Sequence, residues 1–271
     1  MKIIKIIGLL CLFSFTFFYT DKVITTAKNQ DEIMIKIKEY ADTNNIKPKN
    51  ANIENNTIIP GEKGKEVDIN SSYISLKKLG YFEPNLIKYQ DIYPEISIYN
   101  NYNKYIIKGN QNNKYISLIY ILNNNKTIDN ILYITEAYKT TINFFIDSSF
   151  LNNNIQIISL LNQHEIYNYG NNGKYTKDNL IISNNIINNK SNNKSIFCLF
   201  TKEDESSLNN CANSKMLSIM PNIEGNYNDI KVNLSNGSIV LINNTQELKN
   251  IIEYINSKGY KIVPLSQLII E

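Results

Sequence analysis

Apolar residues in the second half of the chain form short continuous runs that alternate with stretches of helical spacing. The runs predict strands that are buried on both faces; they lie at 115–122, 141–147, 164–168, 195–200, 216–220, 237–243 and 260–265. The intervening pattern predicts helices at 127–139, 149–163, 176–189, through Leu208 and Cys211, weakly near 229–234, and at 245–259.

Repeated strand–helix units require parallel strands joined by right-handed crossovers. We therefore predict an α/β fold with an irregular, closed or nearly closed (β/α)7 barrel, in preference to a doubly wound sheet. A single-layer sheet stays open as an alternative.

The preceding region has a different pattern. Residues 31–41 carry Ile33, Ile37 and Tyr40 at helical spacing. The rest is polar and broken by proline and glycine, with one short helix predicted near 72–79. We predict a small helical and irregular stalk at 23–108, followed by the barrel domain at 109–271.

The first residues predict a membrane anchor at 1–22. Lys2 and Lys5 lead into an apolar run from Ile6 to Tyr19. Counted from Ile3, the run is at the short end of the ~17–25 residues that span a bilayer. The leading positive charge predicts that the rest of the chain faces outward. A cleaved signal peptide competes with this prediction, but the small-residue site at 25–27 lies well beyond the apolar run. We predict a single-pass, extracytoplasmic protein of the cell membrane.

Charge argues against a nucleic-acid partner. The net charge is only +3, and lysine supplies all of the positive charge because the chain has no arginine. Readers of phosphates and base edges usually rely on the planar guanidinium group.

The cysteines at 198 and 211 leave two interpretations open. Outside the cell they are able to form a disulfide. Alternatively, they are two small buried apolar residues.

The strand ends test for a catalytic site, because chemistry in β/α barrels sits at the carboxyl ends of the strands. The predicted ends offer one carboxylate, Asp147, and no histidine. A metal site needs three or four converging ligands, and a metal-free hydrolase needs a base beside a nucleophile or paired carboxylates. Neither pattern is present at these ends.

Three segments resemble the polysaccharide deacetylase family, whose carbohydrate esterases share the NodB-homology domain. The stretch "TINFFIDSSFLNNNIQIISLLNQHEIYNYG" is similar to the family's "ATFFVxG…GHEIGNH" pattern. "GSIVLINN" resembles "GSIILLHD", and "IIEYINSKGYKIVPLSQLI" resembles "LKxxGYxFVTLSEL". The resemblance covers about residues 112–271 in the family's order and implies a barrel of the NodB deacetylase type.

The resemblance implies a metal-dependent deacetylase of acetylated glycans. In that family a divalent metal such as zinc is held by one aspartate and two histidines. A second aspartate is the base, and another histidine is the general acid.

The matching positions in this chain carry other residues. Ile121 and Leu122 stand at the aspartate pair, Tyr169 and Gly173 at the metal histidines, and Asn243 at the general acid. An apolar pair neither ligates a cation nor accepts a proton. We therefore expect no catalytic residue and no metal cofactor.

His164, the only histidine, matches a position beside the family's site, so we expect a structural role for it. Asp147 is expected to cap a helix rather than to act as a base.

We predict a non-catalytic protein that binds a cell-wall or surface glycan or serves as a scaffold. Its candidate groove consists of Tyr120, Asn123, Asp147, His164, Tyr167, Tyr169, Asn243 and Asn244. The alternative is an active N- or O-deacetylase with displaced ligands, for which Asp147, His164 and Glu165 would have to cluster around an open cavity.

Overall fold

A computed structural model describes residues 14–16, 19, 20 and 22–271. The predicted anchor at 1–22 lies largely outside these residues. In the described ranges, no helix is both long and apolar enough to cross a bilayer.

The elements are as follows. The helices are α1 (Glu32–Asn44), α2 (Ile69–Leu79), α3 (Ile128–Ala137), α4 (Ser148–Asn153), α5 (Ile157–Leu160), α6 (Lys177–Lys190), α7 (Glu205–Asn213), α8 (Tyr227–Asn233), α9 (Leu248–Ser257) and α10 (Leu265–Leu268). The strands are β1 (Asn52–Glu54), β2 (Thr57–Ile59), β3 (Gly64–Val67), β4 (Tyr89–Ile92), β5 (Tyr105–Ile106), β6 (Tyr115–Leu122), β7 (Asn143–Ile146), β8 (Glu165–Asn168), β9 (Phe197–Leu199), β10 (Leu217–Ile219), β11 (Ile223–Gly225), β12 (Ile239–Ile242) and β13 (Lys261–Ile262).

The chain forms two compact units. One contains the described residues up to 48 together with 63–92, and the other contains 49–62 and 93–271. The predicted division at 108/109 differs from this one, because residues 49–62 and 93–108 supply β1, β2 and β5 to a sheet of the larger unit.

The smaller unit packs α1 and α2 with the antiparallel pair β3–β4. Ile37 on α1 and Leu76 on α2 are fully buried in its apolar cluster. Asp31 caps α1 by accepting the Ile33 N–H at 3.0 Å. Both predicted helices are present and longer than predicted. The strands β3 and β4 were not predicted, because their sequences lack a recognisable apolar alternation.

The larger unit confirms the predicted α/β class with mostly parallel strands. One sheet has the order β1-β2-β5-β10-β9, and the other has β11-β12-β6-β7-β8 with β13 beside the start of β6. The β1–β2 pair is antiparallel, and the remaining pairs in these sheets are parallel.

The strands are buried on both faces because alternate residues enter different apolar clusters. On β6, Leu118 and Leu122 pack in the cluster that includes the covering helices, whereas Ile119 packs in the cluster shared by both sheets. Phe144 and Phe145 of β7 divide in the same way. The cluster shared by both sheets fills the inside of an irregular barrel, and we call it the interior cluster. We call the cluster beneath the helices the outer cluster.

The barrel is not a continuous seven-strand ring. In the described chain β10 pairs with β5 instead of β11, and no backbone ladder joins β8 to β9.

The segment 149–163, predicted as one helix, forms two short helices, α4 and α5. Asn153 and Asn154 interrupt it by donating side-chain hydrogen bonds back to the Ser149 and Phe150 carbonyls, at 3.0 and 2.9 Å.

Side chains replace the missing ladder between β8 and β9, which we call the β8–β9 seam. Asn193 accepts the Ile166 N–H and donates to the Ile166 carbonyl, both at 2.9 Å. Ser195 Oγ accepts the Asn168 N–H at 3.2 Å. The seam thus satisfies buried backbone groups that have no strand partner.

Tyr175 completes the seam at the carboxyl ends of the two strands. Its buried hydroxyl accepts the Leu199 N–H at 2.7 Å and lies 3.1 Å from the Asn168 carbonyl, to which it donates. Burial raises the pKa of Tyr175 well above its usual value, so the proton stays on the phenol.

Cys198 of β9 and Cys211 of α7 form a disulfide, which decides between the two interpretations of these cysteines. Both residues are fully buried in an apolar cluster with Leu208 and Met216.

Replacing Tyr175 with phenylalanine is expected to destabilise the protein by about 1–3 kcal/mol, because it leaves a buried N–H and a buried carbonyl unpaired. Urea unfolding followed by circular dichroism measures the change. Tyr133→Phe is the matched control, since the Tyr133 side chain is 74% exposed. Equal stability of the two variants would show that the seam does not depend on this hydroxyl.

Candidate functional site

The carboxyl ends of β6, β7, β8 and β12 form one edge of the barrel, where the sequence placed the chemistry. At the end of β6, Ile121 packs against the interior cluster and Asn123 is exposed. Leu122 points the other way and is fully buried in the outer cluster. The two residues at the family's aspartate pair are thus apolar in their contacts as well as in type.

The loop after β8 brings Tyr169 and Gly173 together. Tyr169 is 8% exposed, and the Gly173 N–H donates to its carbonyl at 3.2 Å. A Cβ atom at Gly173 would lie 3.0 Å from the Tyr169 hydroxyl oxygen, and Gly173 has a φ of +77°. The phenol ring therefore fills the space beside Gly173, and both crowding and backbone conformation disfavour a side chain there.

Tyr169 is a neutral phenol. Burial raises its pKa, with smaller contributions from the negative charges of Glu224 and Asp147, while a hydrogen bond to the Thr201 side chain opposes the shift. A phenol that keeps its proton is a poor metal ligand and a poor base at neutral pH.

Asp147 follows β7, and both of its carboxylate oxygens accept hydrogen bonds from backbone N–H groups. Its Oδ1 accepts the N–H groups of Ser149 and Phe150 at 2.9 and 3.1 Å, which caps α4. Its Oδ2 accepts the Asn172 N–H at 2.7 Å. The expected capping role is present, and the carboxylate also holds the loop that carries Tyr169.

The edge also contains Glu224, which sequence reasoning missed. Glu224 Oε1 lies 3.5 Å from Asn243 Nδ2, and both residues are exposed. The strand that carries Glu224 has only three residues and ends in Gly225, so its apolar pattern was too short to predict. Asn244 is exposed as well and caps the next turn by accepting the Gln246 N–H at 3.0 Å.

These residues do not fit a divalent metal. The positions that would ligate it hold Leu122, Tyr169 and Gly173, of which the first is buried elsewhere and the last has no side chain. Within the described ranges, no three His, Cys, Asp or Glu side chains come together as a metal-binding group.

Two other candidate groove residues lie away from this edge. Tyr120 packs on the outer cluster, with its hydroxyl 2.7 Å from Thr127 Oγ1. Tyr167 is 1% exposed in the barrel interior, and its hydroxyl donates to Glu165 Oε2 at 2.7 Å. Neither side chain contributes to a groove at the carboxyl edge.

His164 lies at the opposite, amino-terminal edge, directly before β8. Its Nδ1 accepts the Ile142 N–H at 3.3 Å, so the ring proton sits on Nε2, which is 3.4 Å from Thr135 Oγ1. The ring packs edge-on against Phe144. Burial lowers the pKa of His164 to about 4, so the imidazole is neutral at physiological pH.

Glu165 is also held at the amino-terminal edge. Its carboxylate accepts the Ser266 N–H at 3.0 Å and the Ser266 hydroxyl, in addition to the Tyr167 hydroxyl. Asp147, His164 and Glu165 therefore do not meet around a cavity, which is the arrangement that displaced-ligand catalysis would need.

The sequence and the fold of the chain were compared with those of known proteins. No family model matches the chain. The uncharacterized protein YlxY of Bacillus subtilis (strain 168) is 28% identical over 156 residues, which are 55% of this chain and 48% of that protein. The chain thus spans about half the length of this curated relative.

Solved structures match more of the chain. BA3943 from Bacillus anthracis, a CE4 family pseudoenzyme, matches with a TM-score of 0.63 and 22% identity, covering 88% of this chain and 95% of its own. A BA3943 mutant with restored enzymatic activity matches with a TM-score of 0.62 and 22% identity, over 88% of this chain and 98% of its own. The family 4 carbohydrate esterase PdaA of Bacillus subtilis matches with a TM-score of 0.54 and 16% identity, covering 63% of this chain and 86% of its own.

The fold is accordingly that of the CE4 polysaccharide deacetylases. At these identities the likeness concerns the fold alone.

The buried imidazole predicts a loss of stability in mild acid. The folded state has a pKa of about 4 against 6.5 for the unperturbed group, so the unfolded chain takes up the proton first as pH falls. Stability from this group is complete above the unfolded pKa and falls progressively towards the folded pKa.

Replacing His164 with asparagine, whose Oδ1 is able to accept the Ile142 N–H, is expected to remove this dependence. Between neutral pH and about pH 5, the wild type should lose about 1 kcal/mol more than the variant, allowing for the partly open ring. Urea titrations across that range measure the difference. Parallel pH profiles of the two proteins would contradict it.

Proposed function

We propose that this chain is a non-catalytic protein of the CE4 fold, which has lost the metal ligands and the catalytic base and binds a surface or cell-wall glycan or scaffolds other envelope components. The observation that carries the proposal is the Tyr169–Gly173 pair. A neutral phenol fills the space where the resemblance puts one metal histidine, and the partner position has no side chain.

The other functional positions agree with this proposal. Ile121 packs against the interior cluster instead of presenting a base, and Asn243 has no group that releases a proton near neutral pH. Both oxygens of Asp147, which directly follows β7, accept backbone hydrogen bonds. The likeness to the pseudoenzyme BA3943 is in keeping with such a loss.

The carboxyl edge retains groups that suit a glycan. Asn123 and Asn243 are exposed amides, and each offers both donors and acceptors for sugar hydroxyls. The Glu224 carboxylate next to Asn243 adds acceptors. Without a metal to activate water, this edge is able to bind a glycan and leave its acetyl groups in place.

We further propose an extracytoplasmic location at the cell membrane, with residues 1–22 as the anchor. The Cys198–Cys211 disulfide supports the outward orientation, because disulfides persist mainly in oxidising compartments.

Sedimentation with purified, acetylated cell-wall glycan tests the binding function. The full chain should co-sediment with the glycan, and the double variant Asn123→Ala/Asn243→Ala should be retained less, by about tenfold in affinity if each amide contributes one hydrogen bond. Asn256→Ala, at an exposed position on α9, is the matched control and should bind as the wild type does.

The same incubation measures release of acetate. The proposal predicts binding with no release above that of glycan alone. Acetate release that Ile121→Ala or Asn243→Ala abolishes would overturn the non-catalytic assignment, whereas absent sedimentation would overturn the glycan partner.

A further inference from the structure

A cavity lies at the amino-terminal ends of β7 and β8, away from the carboxyl edge. It measures about 520 Å³, and its lining includes Thr135, Thr140, Thr141, Asn162, Gln163 and His164. Four-residue strands separate it from the carboxyl edge by about 13 Å. We call this cavity the His164 pocket.

The walls of the pocket select against charged ligands. Glu136 and Lys139 carry opposite charges and are both part of the lining. The end of α3 precedes Lys139 and presents carbonyl groups, which disfavours an anion. The imidazole of His164 is neutral at physiological pH and already has partners for both nitrogens.

Two threonines of the pocket have unused hydrogen-bonding capacity. The hydroxyl oxygens of Thr140 and Thr141 are buried without a hydrogen-bond partner, although each residue is partly exposed and lines the pocket. An unpaired buried hydroxyl costs about 1–3 kcal/mol. Rotation about the Cα–Cβ bond would turn either hydroxyl away from its unpaired position, and a ligand hydroxyl in the pocket would then satisfy it.

The other residues that line the pocket add amide groups and apolar surface. Asn162 and Gln163 are exposed amides at the rim, and Leu132 and Leu160 supply apolar surface. Neutral hydroxyls, amides and an apolar wall match a ligand that has hydroxyl groups on its edge and C–H groups on its face.

We propose that the His164 pocket binds one neutral sugar residue, as a glycan contact separate from the carboxyl edge. The sugar ring lies against Leu132 and Leu160, and its hydroxyls pair with Thr140, Thr141 and the rim amides. The proposal does not require the carboxyl edge to bind glycan.

The sole histidine makes the pocket directly observable. In NMR spectra of the full chain, the single set of imidazole signals reports on His164. Titration with N-acetylglucosamine or glucose should shift these signals in a saturable way, whereas glycerol at equal concentration should not. Asn123→Ala/Asn243→Ala should leave this titration unchanged, which separates the two sites.

The double variant Thr140→Val/Thr141→Val keeps the side-chain shape and removes the hydroxyls. It should weaken the sugar response by about tenfold or more, and Thr140→Ser/Thr141→Ser should retain it. No saturable shift with either sugar would overturn the proposal. So would a folded valine variant that titrates as the wild type does, because the hydroxyls would then take no part in binding.

Discussion

Burial of parallel strands on both faces is the constraint on which this structure depends. Apolar side chains cover the strands inside the barrel and beneath the helices, so water does not reach the backbone groups between them. Each N–H and carbonyl there needs a partner within the protein. Where β8 and β9 form no ladder, the side chains of Tyr175, Asn193 and Ser195 supply those partners.

The same network also fixes the loop after β8. Asn168 is fully buried and accepts hydrogen bonds from the Ser148 hydroxyl and the Gly170 N–H, at 3.0 and 2.7 Å. Asp147 holds the loop from its other side through Asn172. The loop between β8 and α6 is therefore held by Asp147 and Asn168, and its support does not depend on Ile121 or Asn243.

Sequence reasoning recovered those parts of the fold that continuous local patterns encode. The run 115–122 predicted β6 to the residue, because eight successive positions were apolar or small enough for a strand buried on both faces. β5 and β11 were missed because two or three residues carry no period, and β5 pairs with strands distant in the chain. The barrel was predicted as one ring because a pattern of strands does not reveal where a ladder is interrupted.

The sequence predicted where the candidate site lies in the fold, but it predicted less well which residues form it. Tyr169 and Asn243 lie at the carboxyl edge because strand ends determine that placement. Tyr120 was assigned to the groove although alternation places it on the outer face, between the inward Ile119 and Ile121. Tyr167 is on the inward face, but it lies in β8, two residues before Tyr169, so its ring fills the barrel interior instead of reaching the carboxyl edge. Glu224 had no local signal and becomes visible only once β11 pairs with β12.

Zinc binding by the full chain tests the central claim most directly. The purified protein is dialysed to equilibrium against zinc, washed in metal-free buffer and analysed for its metal content, with His164→Asn as the control for binding by the sole histidine. The account predicts far less than one bound ion per chain, and the same amount in the control. One zinc ion per chain that survives the wash, in wild type and control alike, would mean that the chain holds a metal without its sole histidine and would contradict the account.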